Sequence, residues 1–158
     1  GDAEDARAAM KDSDVGVAAV LALGMLLLGL FAVGTTLAEA GPWGVGVVVA
    51  AEVGAKLSML VVLARGTASH EGLGSALASN TDRLTVPVGL VLATPAVLLT
   101  AFHPAAGLTV LAGLLAGVAI ERWARDRLGG ISGDVLGATN ELVRLLGLLV
   151  GVIAWTLL

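Results

Sequence analysis

At 158 residues the chain is long enough for a sizeable core, yet 57% of it is hydrophobic, 14% is charged and its formal net charge is −4. Mean hydropathy is +0.95. This excludes an ordinary soluble domain, in which about a quarter of residues are charged, and the acidic balance excludes nucleic acid as a partner. With no cysteine there is neither a disulfide nor a thiolate metal site.

The chain opens on Gly1 and a charged segment, without the basic start, short apolar stretch and cleavage site of a signal peptide. It therefore reads as a piece of a longer protein. Met10-Lys11-Asp12-Ser13-Asp14-Val15-Gly16 stands at the entry to the first apolar run. Asp12, Ser13 and Asp14 are all good N-cap types, so a capped helix with a headgroup-level lysine is the simplest reading of that segment.

Five apolar runs follow, and a crossing needs about 20 residues. Val15 to Ala38 is free of charge, and Trp43 to Leu63 carries Glu52 and Lys56. Leu84 to Phe102 contains Pro87 and Pro95, Ala105 to Ile120 is short, and the last run spans Val135 to Leu158. The spacing predicts an all-α, polytopic membrane helix bundle with about five transmembrane helices, in one membrane domain over residues 1–158. Glu52 and Lys56 stand i, i+4 inside a span, where each charge costs roughly 3 kcal/mol. Either they pair with each other, or Lys56 reaches toward a phosphate. Arg144 interrupts the last run and is expected to snorkel or to face the bundle. Gly113 with Gly117, and Gly147 with Gly151, form GxxxG pairs that suit close helix packing.

The basic residues alternate by connection. Arg7 and Lys11 precede the first run, Arg65 and Arg83 lie between the second and third, and Arg122, Arg125 and Arg127 lie between the fourth and fifth. The connections at 39–42 and 103–104 have no Lys or Arg. The positive-inside rule predicts a multi-pass cell-membrane protein, with the N-terminal segment of this chain cytoplasmic and its C-terminus external.

Three polar segments fall on the predicted cytoplasmic side: Lys11-Asp12-Ser13, the loop His70-Glu71-Gly72-Leu73-Gly74-Ser75, and Gly129-Gly130-Ile131-Ser132-Gly133-Asp134 with Asn140 and Glu141 beyond it. The loop lies in the long connection from Arg65 to Arg83; such a connection is either a mobile surface loop or functional. The third segment reads as a capped helix start with a polar face, because Asp134 and Glu141 are i, i+7 and Glu141 and Arg144 are i, i+3. Glycine-rich helix starts favour anions and carboxylates favour divalent cations, so metal-assisted phosphoryl transfer suits the set. A small transporter, a lipid-making alcohol phosphotransferase and a bare scaffold are the competing readings.

The three blocks, in this order, resemble the membrane-bound cobalamin synthase (adenosylcobinamide-GDP ribazoletransferase) family. Met10-Lys11-Asp12-Ser13 is similar to its Met-Lys/Arg-Asp-Ser block, Glu71-Gly72-Leu73-Gly74 to its Glu-Gly-Leu-Gly loop, and Gly129 to Ala138 to its Gly-Gly-x-Thr/Ser-Gly-Asp-x-Leu-Gly-Ala block. The chain departs from many bacterial members in having Ser69-His70 beside the loop and Ala55-Lys56 in the second span. The family's aspartate-rich motif is not matched between Gly1 and Met10, so the chain resembles the C-terminal portion of the enzyme.

The resemblance implies that a hydroxyl of α-ribazole, or of its 5′-phosphate, attacks the cobinamide-linked phosphorus of adenosylcobinamide-GDP and that GMP leaves. It implies Mg²⁺ as the cation, with Asp12 and Asp134 as catalytic and metal-binding carboxylates. Lys11, Ser132 and Gly133 would contact phosphate, with Lys56 a weaker candidate, Glu71 would position the acceptor, and Ser13, Gly72, Gly74 and Glu141 join the substrate-binding set. The implied partners are the two substrates and the lipid bilayer, with a homo-oligomer left open. A fragment without the aspartate-rich motif is expected to be inactive alone.

Overall fold

The computed structural model describes residues 16–82, 84–98 and 103–158. Its six helices are α1 (Val17–Glu39), α2 (Pro42–Arg65), α3 (Leu73–Ser79), α4 (Thr85–Leu98), α5 (Pro104–Leu128) and α6 (Gly133–Leu157). Among the described residues there is no strand, only an isolated parallel bridge between Ala68 and Ile131. The chain is a polytopic, all-α membrane bundle. Four helices, α1, α2, α5 and α6, are long and apolar enough to cross a membrane, and α4 is a shorter apolar helix. The fifth expected crossing is thus a 14-residue helix, about 21 Å long, within the described residues. Residues 99–102 of that run lie outside them.

The centre of the bundle is α2, packed against α5 and α6, while α1 leans on α6 and α4 on α2. Small residues set the spacing. A Cβ on Gly113 would sit 2.7 Å from the Gly54 carbonyl oxygen, and one on Gly117 would sit 2.9 Å from Ser58 Cα. Both glycines let the α5 backbone lie directly on α2. Lipid offers no hydrophobic drive between helices, so this close van der Waals fit is what holds them. Thr109, fully buried, spends its hydroxyl on the Gly147 carbonyl at 3.4 Å across the α5–α6 contact.

The two ends of the bundle differ. At one end Trp43 stacks on Trp155 with centroids 5.2 Å apart, and His103 lies 4.0 Å from Trp155. Tryptophan prefers the membrane–water interface, so these rings mark one boundary. At the other end lie Arg65, Arg122, Arg125 and Arg127. There α5 continues to Leu128, past the apolar run that ends at Ile120, and stops where Gly129 turns left-handed at φ +71°. Hydropathy marks where lipid ends, whereas the helix runs until a residue breaks it.

Candidate functional site

The site is built at the arginine-rich end, where two segments distant in sequence are clipped together. Beyond α2 the chain runs through Thr67 and Ser69; beyond α5 it runs through Gly130 and Ile131. Ile131 N–H donates to the Thr67 carbonyl at 2.8 Å, and Ser69 N–H donates to the Ile131 carbonyl at 3.0 Å. Gly130 is required here, because its φ is +144° and a Cβ would fall 2.3 Å from the Thr67 oxygen. Beneath the clip, Ile131 closes a core with Val62, Leu63, Ala124, Leu128, Val135 and Leu136. The connection read from sequence as a loop is partly helical: its Leu73–Ser79 segment forms α3, and Gly72 N–H donates to Ser75 Oγ at 2.9 Å at its start.

Of the expected site residues, Gly74 meets Ser132 and Gly133. A Cβ on Gly74 would lie 3.0 Å from Ser132 Cα and 3.3 Å from Gly133 N. Ser132, buried, caps α6 by accepting from Val135 N–H at 3.3 Å. Asp134 is exposed in the first turn of α6. It borders a cavity of about 570 Å³ between α5 and α6, whose other walls are apolar and include Trp123, Ile120 and Leu142. Glu71 and Gly72 are exposed at the start of α3. Lys11, Asp12 and Ser13 lie outside the described residues.

Lys56 and Glu141 belong to a separate cluster, deeper in the bundle. Lys56 Nζ donates to Asn140 Oδ1 at 2.5 Å and lies 3.5 Å from Glu52. Asn140 Nδ2 donates to Glu141 at 2.8 Å, Arg144 donates to Glu141 at 2.7 Å, and Arg144 Nε pairs with Glu52. At 1.5 Å per residue, roughly 14 Å of helix separates Trp43 from Glu52, and roughly 16 Å separates Arg144 from Trp155. The cluster therefore sits near mid-bilayer in a hydrocarbon core ~30 Å thick. Two acids and two bases there satisfy one another across α2 and α6, which offsets the cost of placing each in lipid. Arg144 faces the bundle.

One polar residue escaped the sequence reading. Glu121 on α5 is 1% exposed. Its Oε1 accepts from Arg125 Nη1 at 3.0 Å, its Oε2 lies 3.7 Å from Arg65 Nε, and among the described residues that Oε2 accepts no hydrogen bond. The i, i+4 spacing to Arg125 was the available signal.

Among the described residues, no three Asp, Glu, His or Cys side chains gather closely enough to hold a metal ion. Asp134 contributes one carboxylate, and a cation such as Mg²⁺ is commonly held by one or two carboxylates together with substrate phosphates. The remaining arrangement suits anions, because the start of α6 presents helical N–H groups that have no acceptor within the helix, beside a glycine-rich clip and a set of arginines.

Fold and site thus define a multi-pass membrane protein with a clipped, glycine-rich polar mouth at the arginine-rich end of its bundle. The profile of the family described as Cobalamin-5-phosphate synthase matches residues 1–152. The chain belongs to that family. It is 46% identical to a protein of Halorubrum lacusprofundi named adenosylcobinamide-GDP ribazoletransferase, over 99% of this chain and 65% of the relative. A protein of the same name from Halobacterium salinarum is 40% identical over 99% of this chain and 79% of its own length. Another, from Haloquadratum walsbyi, is 39% identical over 96% of this chain and 61% of its own length. The chain thus spans roughly two thirds of these relatives' length. No solved structure matches it significantly.

Proposed function

We propose that the protein is an adenosylcobinamide-GDP ribazoletransferase and that the clipped mouth is its phosphotransfer site. The observation that carries this reading is the backbone contact of Gly74 with Ser132 and Gly133. It joins two motif blocks that sequence separation alone gives no reason to meet. The relatives' shared name supplies the substrate. A hydroxyl of α-ribazole, or of its 5′-phosphate, forms a bond to the cobinamide-linked phosphorus as the bond from that phosphorus to GMP breaks. The start of α6 at Ser132 and Gly133 offers N–H donors to the phosphate oxygens, and Glu71 with Gly72 borders the acceptor.

The arginine-rich end faces the cytoplasm and the C-terminus faces outward, by the positive-inside rule. Mg²⁺ is the proposed cation, with Asp134 and Asp12 as two of its carboxylates; when bound it would offset charge developing on the phosphate oxygens. Lys11, Ser13, Lys56 and Glu141 complete the proposed substrate set. Lys56 on α2 and Glu141 on α6 act from the deeper cluster.

The experiment is to reconstitute the full-length protein with Mg²⁺, α-ribazole and adenosylcobinamide-GDP, and to quantify GMP by chromatography. Release of GMP supports the reading. Release of CMP from CDP-diacylglycerol with an alcohol acceptor, and no GMP, contradicts it. Asp134→Asn is expected to lower GMP release at least about 100-fold, the scale of a lost electrostatic group at a reacting centre, with membrane insertion intact. Near-normal release by that variant removes Asp134 from the site.

A further inference from the structure

We propose that Arg65 and Arg125 form a phosphate-oxyanion subsite at the arginine-rich mouth, with the buried Glu121 carboxylate as their positioning residue. The inference rests on the reading above for its natural ligand, the diphosphate of a nucleotide, but the subsite is argued from geometry.

Glu121 is 1% exposed, whereas Arg65 and Arg125 are 48% and 52% exposed. The carboxylate lies inside and both guanidinium groups reach outward from it. A buried carboxylate is costly unless paired, so it holds both cations close. Each guanidinium carries five N–H donors, and Glu121 takes one from Arg125 and lies 3.7 Å from Arg65. Arg125 also lies 3.7 Å from the exposed Asp126 carboxylate, without a hydrogen bond. Among the described residues, most donors of the two forks are therefore open to an incoming anion. Arginine forks match phosphate oxygens two at a time.

The backbone places this pair at the mouth. Arg65 is the last residue of α2, two positions before Thr67, whose carbonyl receives Ile131 N–H. Arg125 follows Ala124, whose carbonyl receives the N–H groups of Gly129 and Gly130. Both arginines thus hang from the frame that presents Ser132 and Gly133. Arg122 and Arg127 lie on the same stretch of α5, are exposed, and make no ion pair among the described residues. They are the internal controls.

The test titrates inorganic pyrophosphate, without Mg²⁺, into the full-length protein in phosphatidylcholine nanodiscs. Arg65→Ala and Arg125→Ala are each expected to weaken binding about tenfold, the loss of one charge-assisted contact, while Arg122→Ala and Arg127→Ala stay within about twofold. Equal weakening by all four, or by none, overturns the subsite. Should the alanine variants fail to fold, Arg65→Lys and Arg125→Lys keep the charge and lose the fork; unchanged affinity in both overturns it as well.

Replacing part of the lipid by phosphatidylglycerol separates the phosphate sources. Competition with pyrophosphate assigns the pair to a lipid headgroup, and its absence assigns the pair to a soluble phosphate; either outcome supports an oxyanion subsite. Glu121→Gln is expected to raise the KM for the nucleotide donor with kcat within about twofold, as for lost uniform binding. A fall in kcat at unchanged KM overturns the positioning role. Pyrophosphate binding that depends on both arginines, in a protein that releases no GMP, leaves the subsite standing and removes the proposed function. Undiminished GMP release in both arginine variants, with their pyrophosphate affinity also unchanged, does the reverse.

Discussion

The bundle holds two charged clusters of similar make-up and opposite design. Near mid-bilayer, Glu52, Lys56, Glu141 and Arg144 balance to zero and pair with one another and with Asn140, although the buried Arg144 Nε makes no hydrogen bond among the described residues. At the arginine-rich end, one fully buried carboxylate, Glu121, faces two half-exposed arginines. In the first cluster each cation already has a carboxylate partner, so an anion arriving at Lys56 competes with Glu52. The second leaves donors facing outward. Charge balance separates them: two arginines share one buried carboxylate at the arginine-rich end, whereas two acids match two bases in the deeper cluster.

The largest disturbance removes the frame that both clusters share. Gly117→Leu would drive a side chain into the Ser58 backbone, where even a Cβ stands 2.9 Å away. Overpacking of this kind costs about 3 kcal/mol or more when the obstacle is main chain. The variant is expected to lose monodisperse folded protein in detergent, as read by size-exclusion chromatography. A stable Gly117→Leu protein would show that α2 and α5 are not held by this contact.

A smaller change separates the clusters from each other. Arg125→Ala strips the hydrogen bond from a buried carboxylate and is expected to cost about 2–3 kcal/mol. Lys56→Ala removes a side chain that is 58% exposed and leaves the Arg144–Glu52 pair in place, at an expected cost of about 1 kcal/mol or less. Thermal melts of the two variants in the same detergent check the order. A reversed order would make the mid-bilayer cluster the more tightly bound of the two.

The smallest effect lies outside both clusters, in the connection that leads to α4. Asp82 Oδ1 accepts from Leu84 N–H at 3.0 Å and from Thr85 N–H at 2.9 Å, and the Thr85 hydroxyl donates to it at 2.9 Å. The Thr85 side chain, then the Leu84 amide, hold its carboxyl below the ordinary value of 3.8. Because the folded value is depressed, this contribution is present above the unfolded value and is lost as pH falls through the folded one. Hydrogen exchange at Leu84 and Thr85 is expected to quicken in Asp82→Ala at pH 6, with the difference vanishing once the carboxyl is protonated. Equal exchange in the two proteins at pH 6 would dismiss the cap.

Much of this was legible in the sequence. Apolar runs gave an all-α membrane bundle, and Gly113, Gly117 and Gly147 of the GxxxG pairs lie where another helix's backbone comes close. The alternation of arginines placed the Glu71–Gly74 and Gly129–Asp134 blocks at one end, where the fold joins them. Three things were not legible. Glu121 ends an apolar run and opens a row of charges, so hydropathy assigned it to the boundary; it is buried where α5 lies on α2, which meet at Gly117–Ser58 and Glu121–Arg65. The Ala68–Ile131 bridge spans a long sequence separation and has no local signature. The short α3 lies in a connection rich in glycine and serine, and its contact through Gly74 with Ser132 joins segments far apart in sequence.

The claim that the clipped mouth is the phosphotransfer site is tested most directly by GMP release from reconstituted full-length Gly74→Val. A Cβ at Gly74 would press within 3.0 Å of Ser132 Cα and move the two blocks apart without touching either charged cluster. The expected result is a loss of GMP release of about 100-fold, the scale of a 1 Å misplacement at a reacting centre, with a melting temperature close to that of the parent. Release at the parent rate, with the side chain accommodated, would contradict the account.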